Sequence, residues 1–199
     1  MTLDMDDVVR RIAAATIVLI AAISLGAAAS PRSGCVPEDF SAWAVNRGPS
    51  AFMLSWAVDV HIARWSTERE RDRFARTFLN HGPDALLQTL RHAAPVGVLR
   101  TPFATDDLVF AWQEPAVDGG RRIILIVDQP MVVWKDAMQL EGTENAFTVI
   151  EIRLTPSAAG EGKVAIGANI AVARSVDLIQ LRDYDSEPVR LTDVRPKRH

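Results

Sequence analysis

The chain contains 199 residues, of which 48% are hydrophobic and 24% are charged. This length and composition are enough for one hydrophobic core, and nothing in them predicts a second domain. The formal net charge of −3 argues against nucleic acid as a partner, because nucleic-acid-binding proteins usually present a basic field. The basic residues at positions 195–199 are interpreted as a solvated tail, since chain termini are usually loose.

The first 29 residues have the layout of a secretory signal peptide. Arg10 and Arg11 precede an apolar run at positions 12–29, in which Ala27 and Ala29 supply the small residues that signal peptidase reads. We therefore predict cleavage before Ser30 and a protein that is periplasmic or secreted. The alternative is a membrane anchor formed by residues 12–29, because an uncleaved run of this length is just able to span a bilayer.

Cys35 is the only cysteine in the sequence, so it cannot form an internal disulfide. Ser33 and Gly34 precede it as in a lipoprotein signal, and lipid attachment to Cys35 is a further alternative. Arg32 occupies the position where such signals have an aliphatic residue, which breaks the pattern. The cysteine and the histidines lack the spacing of zinc ligands, so the sequence predicts neither a metal nor another cofactor.

The predicted domain spans residues 50–194 and follows an irregular lead-in at 30–49, which contains prolines and glycines. Apolar and polar residues alternate from Phe52 to Ile62, which indicates a first strand. Asp59 and His61 lie on the same face of this strand and are candidate catalytic residues, because they can share a proton or a metal. The alternative is a solvated polar face, since the sequence supplies no third ligand.

Two helices are predicted next. Thr67 and Glu70 have the spacing of a capping box, in which each side chain satisfies a free amide at the start of a helix. Gly82 is a left-handed stop for this helix, and Pro83 suits the first turn of a second helix that ends before Pro95. The tight link between the two predicts a helix hairpin that packs as one unit.

The remaining sequence alternates short apolar runs with turn residues, as antiparallel sheets do. Arg121–Val127 has apolar side chains at odd and even positions and is predicted to be an interior strand covered on both faces. The predicted fold is α+β: an N-terminal strand, the helix hairpin, and an antiparallel meander of six or seven strands in a curved or half-open sheet. The other meander strands are predicted at Val96–Thr101, Leu108–Trp112, Phe147–Leu154, Lys163–Val172, Leu178–Tyr184 and Val189–Val194, and Met131–Trp134 is a weaker candidate.

Glu151, Arg153 and Lys163 form a polar face on this meander and are candidate ligand-binding residues. On an open sheet they are solvated and form cross-strand ion pairs. If the sheet closes into a barrel, they can point into its lumen and bind an anionic ligand. The open form is favoured here, because the core of a small barrel is usually apolar.

Several segments resemble a family of uncharacterised exported bacterial proteins: Gly97–Pro102, Asp118–Ile123, Phe147–Leu154, Gly160–Lys163 and Pro188–Thr192. The resemblance covers most of the mature chain and implies a shared fold and export, but no activity. The order of elements is also similar to that of helix-grip ligand binders, although the long final helix of those proteins is missing.

Three functions are compatible with the sequence. The first is a non-catalytic exported domain that binds an unknown small ligand or an envelope protein. The second is a hydrolase-like enzyme that uses Asp59 and His61 or a carboxylate pair, although the nucleophile elbow of serine hydrolases is missing. The third is a structural protein that docks a partner on an exposed strand edge. A membrane is a partner only if the N-terminal segment remains uncleaved.

Overall fold

A computed structural model of the protein describes residues 36–46, 55–129, 147–166, 170–173, 178–181 and 189–197. The predicted signal peptide, Cys35 and the strand candidate Met131–Trp134 lie outside these residues. The described residues belong to one compact unit, Ser33–His199. They form ten strands and one helix: β1 (Glu38–Asn46), β2 (Ser55–Ile62), α1 (Glu68–Arg91), β3 (Gly97–Arg100), β4 (Thr105–Pro115), β5 (Arg121–Val127), β6 (Thr148–Leu154), β7 (Gly160–Ile166), β8 (Ile170–Ala173), β9 (Leu178–Leu181) and β10 (Val189–Pro196).

Eight of these strands form a closed antiparallel barrel in the order β1-β10-β7-β6-β5-β4-β3-β2. The prediction of a half-open α+β sheet was wrong because it lacked β1, which the sequence analysis assigned to the irregular lead-in. This strand pairs with β2 on one side and with β10 on the other, and so closes the ring. The strand predicted at Lys163–Val172 is also divided, since β7 belongs to the barrel whereas β8 pairs with β9 in a separate two-stranded sheet.

The interior of the barrel is packed with apolar side chains. Every second residue of β1 from Phe40 to Ala44 faces inward, and β2 contributes alternate residues from Trp56 to Ile62. The central strand β5 adds Ile123, Leu125 and Val127, which are completely buried. Such burial stabilises the fold by roughly 1.5–3 kcal/mol for each large aliphatic side chain. The lumen is therefore a core and not a channel.

The outer face of the same central strand is covered by α1. Ile124 and Ile126 belong to a second buried cluster together with Phe74 and Leu87 of the helix, and Phe78 packs against it. This confirms the prediction that Arg121–Val127 is buried on both faces. The helix thus forms a second layer outside the barrel wall.

The predicted capping box at the start of α1 is confirmed: Thr67 Oγ1 accepts from the amide of Glu70 at 3.3 Å, and the Glu70 carboxylate accepts from the amide of Thr67 at 2.7 Å. The predicted helix hairpin was wrong. Gly82 does have a left-handed φ of 80°, but the helix resumes at once with Pro83. A reversal needs a connecting loop of about 2–5 residues, so a single non-helical residue leaves a kink within one helix.

Candidate functional site

The candidates Glu151, Arg153 and Lys163 lie on the outer face of the barrel. Ile150, Ile152 and Leu154 of β6 fill the interior, so the residues between them point outward. Glu151 stands opposite Lys163 on the neighbouring strand. The hypothesis that a closed sheet would place these three residues in a polar lumen was therefore wrong. The apolar side chains that alternate with them occupy the inner face of the barrel.

Glu151 is the centre of an ion-pair network that joins three strands. Arg122 of β5 donates from Nε and Nη2 to the two carboxylate oxygens of Glu151, at 3.0 and 3.2 Å. The Nη1 of the same guanidinium donates to Glu114 of β4 at 2.9 Å. Arg153 donates from Nε to Glu151 at 2.8 Å. Two-point contact between a guanidinium and a carboxylate fixes both groups in one orientation.

Burial makes this network more than a set of surface pairs. The side chain of Glu151 is only 1% exposed and that of Arg122 is 11% exposed, whereas Arg153 is 57% exposed. Burial raises the pKa of Glu151, but hydrogen bonds and charge from Arg122, and then from Arg153, lower it further than burial raises it. The net pKa lies below the ordinary value, so Glu151 is ionised at neutral pH. Burial lowers the pKa of Arg122, and the bonds to Glu151 and Glu114 raise it above its ordinary value.

The network forms the floor of a cleft of about 880 Å³. The β4–β5 turn and the β6–β7 turn form its walls, and Gly119, with φ of 82°, allows the tight turn predicted from Asp118–Gly120. The Asp118 side chain closes this turn by accepting from the amide of Gly120 at 3.0 Å. The lining has two more carboxylates than guanidinium groups: Glu114, Asp118, Glu151 and Glu161 against Arg122 and Arg153.

Lys163 is fully buried opposite Glu151 but is not among the residues that line the cleft. Of the three candidates, Glu151 and Arg153 therefore line the cleft, and Lys163 does not. The sequence analysis did not identify Glu114 or Arg122 as members of the site. The position of Arg122 on the outer face could have been predicted from the alternation of β5, because Arg122 lies on the same face as Ile124. Arg121 lies on the inner face with Ile123.

Arg121 has a different role from its neighbour. Its guanidinium donates to both carboxylate oxygens of Glu38 on β1, with Nη1 at 3.0 Å and Nη2 at 2.6 Å, and to the side chain of Gln113 at 2.8 Å. It also lies over the Phe40 ring, with 5.5 Å between the guanidinium carbon and the ring centroid. Because β1 and β5 are on opposite sides of the barrel, this ion pair spans its mouth and closes the apolar interior at the end near the cleft.

Asp59 and His61 do lie on the outer face of β2, but each has a different partner. The Nδ1 of His61 is 2.8 Å from Asp39 Oδ1, and Asp59 Oδ1 is 2.6 Å from Lys197 Nζ. The side chains of His61 and Asp59 are 40% and 50% exposed. Two partly exposed side chains with separate polar partners correspond to the solvated-face interpretation of this strand.

The part of the chain that the structure describes contains no group of three or more His, Cys, Asp or Glu side chains placed to hold a metal ion. Within these same ranges, no helix combines the length and the apolar character needed to cross a membrane. The apolar run at 12–29 lies outside them, so the choice between signal peptide and anchor stays a prediction.

No protein-family model matches the chain, and no curated protein or solved structure shows significant similarity to it. The resemblance to exported bacterial proteins thus remains an expectation from short segments. The function must be argued from the cleft and its side chains, because a fold alone does not define one.

Proposed function

We propose that the protein is an exported, non-catalytic binding domain that holds a positively charged group of its ligand in this cleft, against the carboxylates of Glu114, Asp118 and Glu161. The observation that carries this proposal is the excess of carboxylates over guanidinium groups in the lining of the cleft, whose floor is fixed by the bonds of Arg122 and Arg153 to Glu151. Side chains fixed in this way are preorganised, so a ligand loses little free energy in ordering them.

The state of Glu151 favours binding over acid catalysis. A general acid must keep its proton near neutral pH, and a carboxyl group does so when its pKa is raised. The pKa of Glu151 is instead lowered by its two arginine partners. The carboxylate is also committed to three hydrogen bonds, which suits a fixed electrostatic floor better than a group that exchanges protons.

The charge of the cleft selects the ligand. Glu114, Asp118 and Glu161 add three negative charges around a floor where Arg122 and Glu151 largely neutralise one another, and Arg153 offsets one of the three. The anionic ligand considered in the sequence analysis is disfavoured by this excess of carboxylates. An ammonium or guanidinium group, on a small molecule or on a basic segment of an envelope protein, is complementary to it.

The closed barrel removes the basis of the strand-edge hypothesis for the strands that compose it. Each of the eight has a hydrogen-bonded neighbour on both sides. A partner that adds a strand needs unpaired amides and carbonyls. Docking on the side-chain surface of the cleft is therefore the better supported interaction.

The binding proposal is tested with Nα-acetyl-arginine amide as the probe and Nα-acetyl-citrulline amide, which has nearly the same shape without the guanidinium charge, as the control. We expect the arginine compound to give saturable NMR shifts in the backbone amides of 114–120 and 155–161, and the affinity to fall with ionic strength. Glu161→Gln should weaken binding several-fold, whereas Glu68→Gln, the same change at another exposed position, on α1, should leave it unchanged. Equal binding of the two amides, or shifts distributed over the whole barrel, would show that the cleft is not a cation site.

Export is a separate part of the proposal and has its own test. Expression of the full chain in a bacterial host should yield a periplasmic or secreted protein whose intact mass corresponds to a first residue of Ser30. A full-length chain in the membrane fraction would instead show that residues 12–29 are a membrane anchor and not a cleaved signal peptide. Neither result alters the interpretation of the cleft.

A further inference from the structure

The cleft is larger than a cation site requires. Its volume of about 880 Å³ lies near the upper end of the range of about 300–1,000 Å³ that is typical of ligand pockets. A single ammonium or guanidinium group fills only a small part of such a space. The remaining space can take other groups of the ligand, and the side chains that border it define their chemistry.

One side of the cleft is apolar. The turn between β4 and β5 places Pro115, Ala116 and Val117 in the lining, and the side chains of Pro115 and Val117 are exposed. Val117 projects completely into solvent, with a relative exposure of 110%. Because water is a poor solvent for an apolar side chain, a ligand that covers Val117 with an apolar group gains free energy.

The other side of the cleft contains a carboxylate that is free to bind a cation. Glu161 is exposed near the start of β7 and stands opposite Arg153 of β6, but Arg153 donates from Nε to Glu151. Among the described residues, no ion pair engages the Glu161 carboxylate. The Glu114 carboxylate, in contrast, already accepts from Arg122.

Hydrogen bonds within both turns hold the two sides in place. The amide of Ala116 donates to the Gly120 carbonyl at 3.0 Å, and the amide of Thr155 donates to the Ala159 carbonyl at 2.8 Å. The hairpins β4–β5 and β6–β7 are neighbours in the barrel wall. Val117 lies in the turn of the first hairpin and residue 161 on the last strand of the second, so the apolar group and the carboxylate lie on opposite sides of the cleft.

A peptide in an extended conformation matches this arrangement. Successive side chains of an extended chain point to opposite sides, so two adjacent residues present their side chains to the two sides of the cleft. Residues separated by one position point to the same side and cannot reach both. An apolar residue next to an arginine or lysine therefore has the spacing that Val117 and Glu161 require.

We infer that the cleft binds an extended peptide segment in which an apolar residue is directly adjacent to an arginine or lysine, with the apolar side chain against Val117 and the basic side chain at Glu161. The inference rests on the proposed cation site and adds the class of ligand and the spacing of its two groups. Extended peptides are commonly recognised through side chains that enter separate pockets.

Four blocked peptides of one composition test the spacing. The two side chains are adjacent in acetyl-Gly-Leu-Arg-Gly-amide and acetyl-Gly-Arg-Leu-Gly-amide, whereas a glycine separates them in acetyl-Leu-Gly-Arg-Gly-amide and acetyl-Arg-Gly-Leu-Gly-amide. In NMR titrations, we expect at least one adjacent peptide to bind about tenfold more tightly than both spaced peptides and than Nα-acetyl-arginine amide, as partial burial of a leucine side chain predicts. Intermolecular NOEs should connect the leucine methyl groups of that peptide with those of Val117.

Val117→Ser supplies the second measurement. The side chain is exposed in a turn, so the change should leave the fold intact. We expect it to remove most of the tenfold gain, while Nα-acetyl-arginine amide binds as it does to the wild type. Val36→Ser, the same change at a valine that is 69% exposed before β1, should leave all affinities unchanged. Glu161→Gln should weaken the peptides and the arginine compound alike.

The outcomes separate this inference from the proposed function. If Nα-acetyl-arginine amide binds but no peptide binds more tightly than it does, the occupant is a small cationic compound and the inference is overturned while the cation site stands. Equal binding of adjacent and spaced peptides, or a gain that Val117→Ser leaves in place, overturns it in the same way. If neither the arginine compound nor any peptide binds, the cation site fails and the inference fails with it.

Discussion

Replacing Glu151 by Gln tests whether the ion-pair network is a buried unit. The change keeps the shape of the side chain but removes the charge that Arg122 and Arg153 contact. Removing one partner from a buried ion pair costs about 3–5 kcal/mol. Because Arg122 retains its bond to Glu114 and Arg153 is largely solvated, we expect a value near the lower limit, about 3 kcal/mol.

Glu114→Gln is the matched control, since it is the same substitution on the same guanidinium. Glu114 makes one bond to Arg122 at 2.9 Å and is 23% exposed, so its loss should cost no more than about 1 kcal/mol. Urea melts at neutral pH measure both values, and equal slopes would confirm that the denatured states are comparable. If the two variants lose the same stability within about 0.5 kcal/mol, burial of Glu151 has no special role. A Glu151→Gln variant more stable than the wild type would mean that desolvation outweighs the attraction between the charges.

Three further predictions concern the core, the exposed strand face and the helix start. Ile124→Ala and Leu125→Ala should each cost about 2–5 kcal/mol in denaturant melts, because one residue is buried under α1 and the other in the lumen; a small cost at either site would mean that this face is not packed. The double change Asp59→Asn and His61→Gln should alter stability by about 0.5 kcal/mol at most, since the side chains of Asp59 and His61 are 50% and 40% exposed, and a much larger loss would indicate a buried network. The pKa of Glu70 is lowered to about 2, chiefly by the hydrogen bond from Arg64, so its contribution is present above the unfolded value near 4.5 and is lost as pH falls toward 2. Between pH 5 and pH 2, the free energy of unfolding should therefore fall less with decreasing pH in Glu70→Gln than in the wild type. Denaturant melts at several pH values measure this, and identical pH profiles would contradict it.

The local features of the fold were predictable because neighbouring residues determine them. The box at Thr67 and Glu70 and the turn at Gly119 each depend on a few adjacent positions. The two-sided burial of Arg121–Val127 followed from its uninterrupted apolar run. Even the break at Gly82 was correctly placed, although its consequence for the path of the helix was not.

The closure of the barrel was not predictable from the same signals. The inward residues of β1 include Ala42 and Ala44, which are too small to produce a strong apolar alternation. Whether β1 reaches β10 depends on the curvature and stagger of the whole sheet, and neither is a property of a short window. A single missed strand therefore changed the predicted fold from an open sheet to a barrel.

The candidate site was predictable only in part for a related reason. Glu151 and Arg153 were identified because they interrupt an apolar strand. Arg122 was not, because its role depends on the register that places it opposite Glu114 and beside β6. Arg121 and Arg122 are chemically identical neighbours, and the pleat sends one across the barrel mouth and the other to the outer wall.

The pairing of β1 with β10 also determines when the barrel can form during synthesis. Thr192 bonds the carbonyl of Trp43 across 149 positions of sequence, and Lys197 donates its amide to the Asp39 carbonyl at 2.7 Å. Synthesis from the N-terminus delivers β1 and β2 first, so the edge of β1 that faces β10 stays unpaired until β10 emerges. Contacts of such long range fold slowly and leave a strand edge open to aggregation. The chain therefore depends on protection of this edge of β1 during the interval in which most of its sequence is still to arrive.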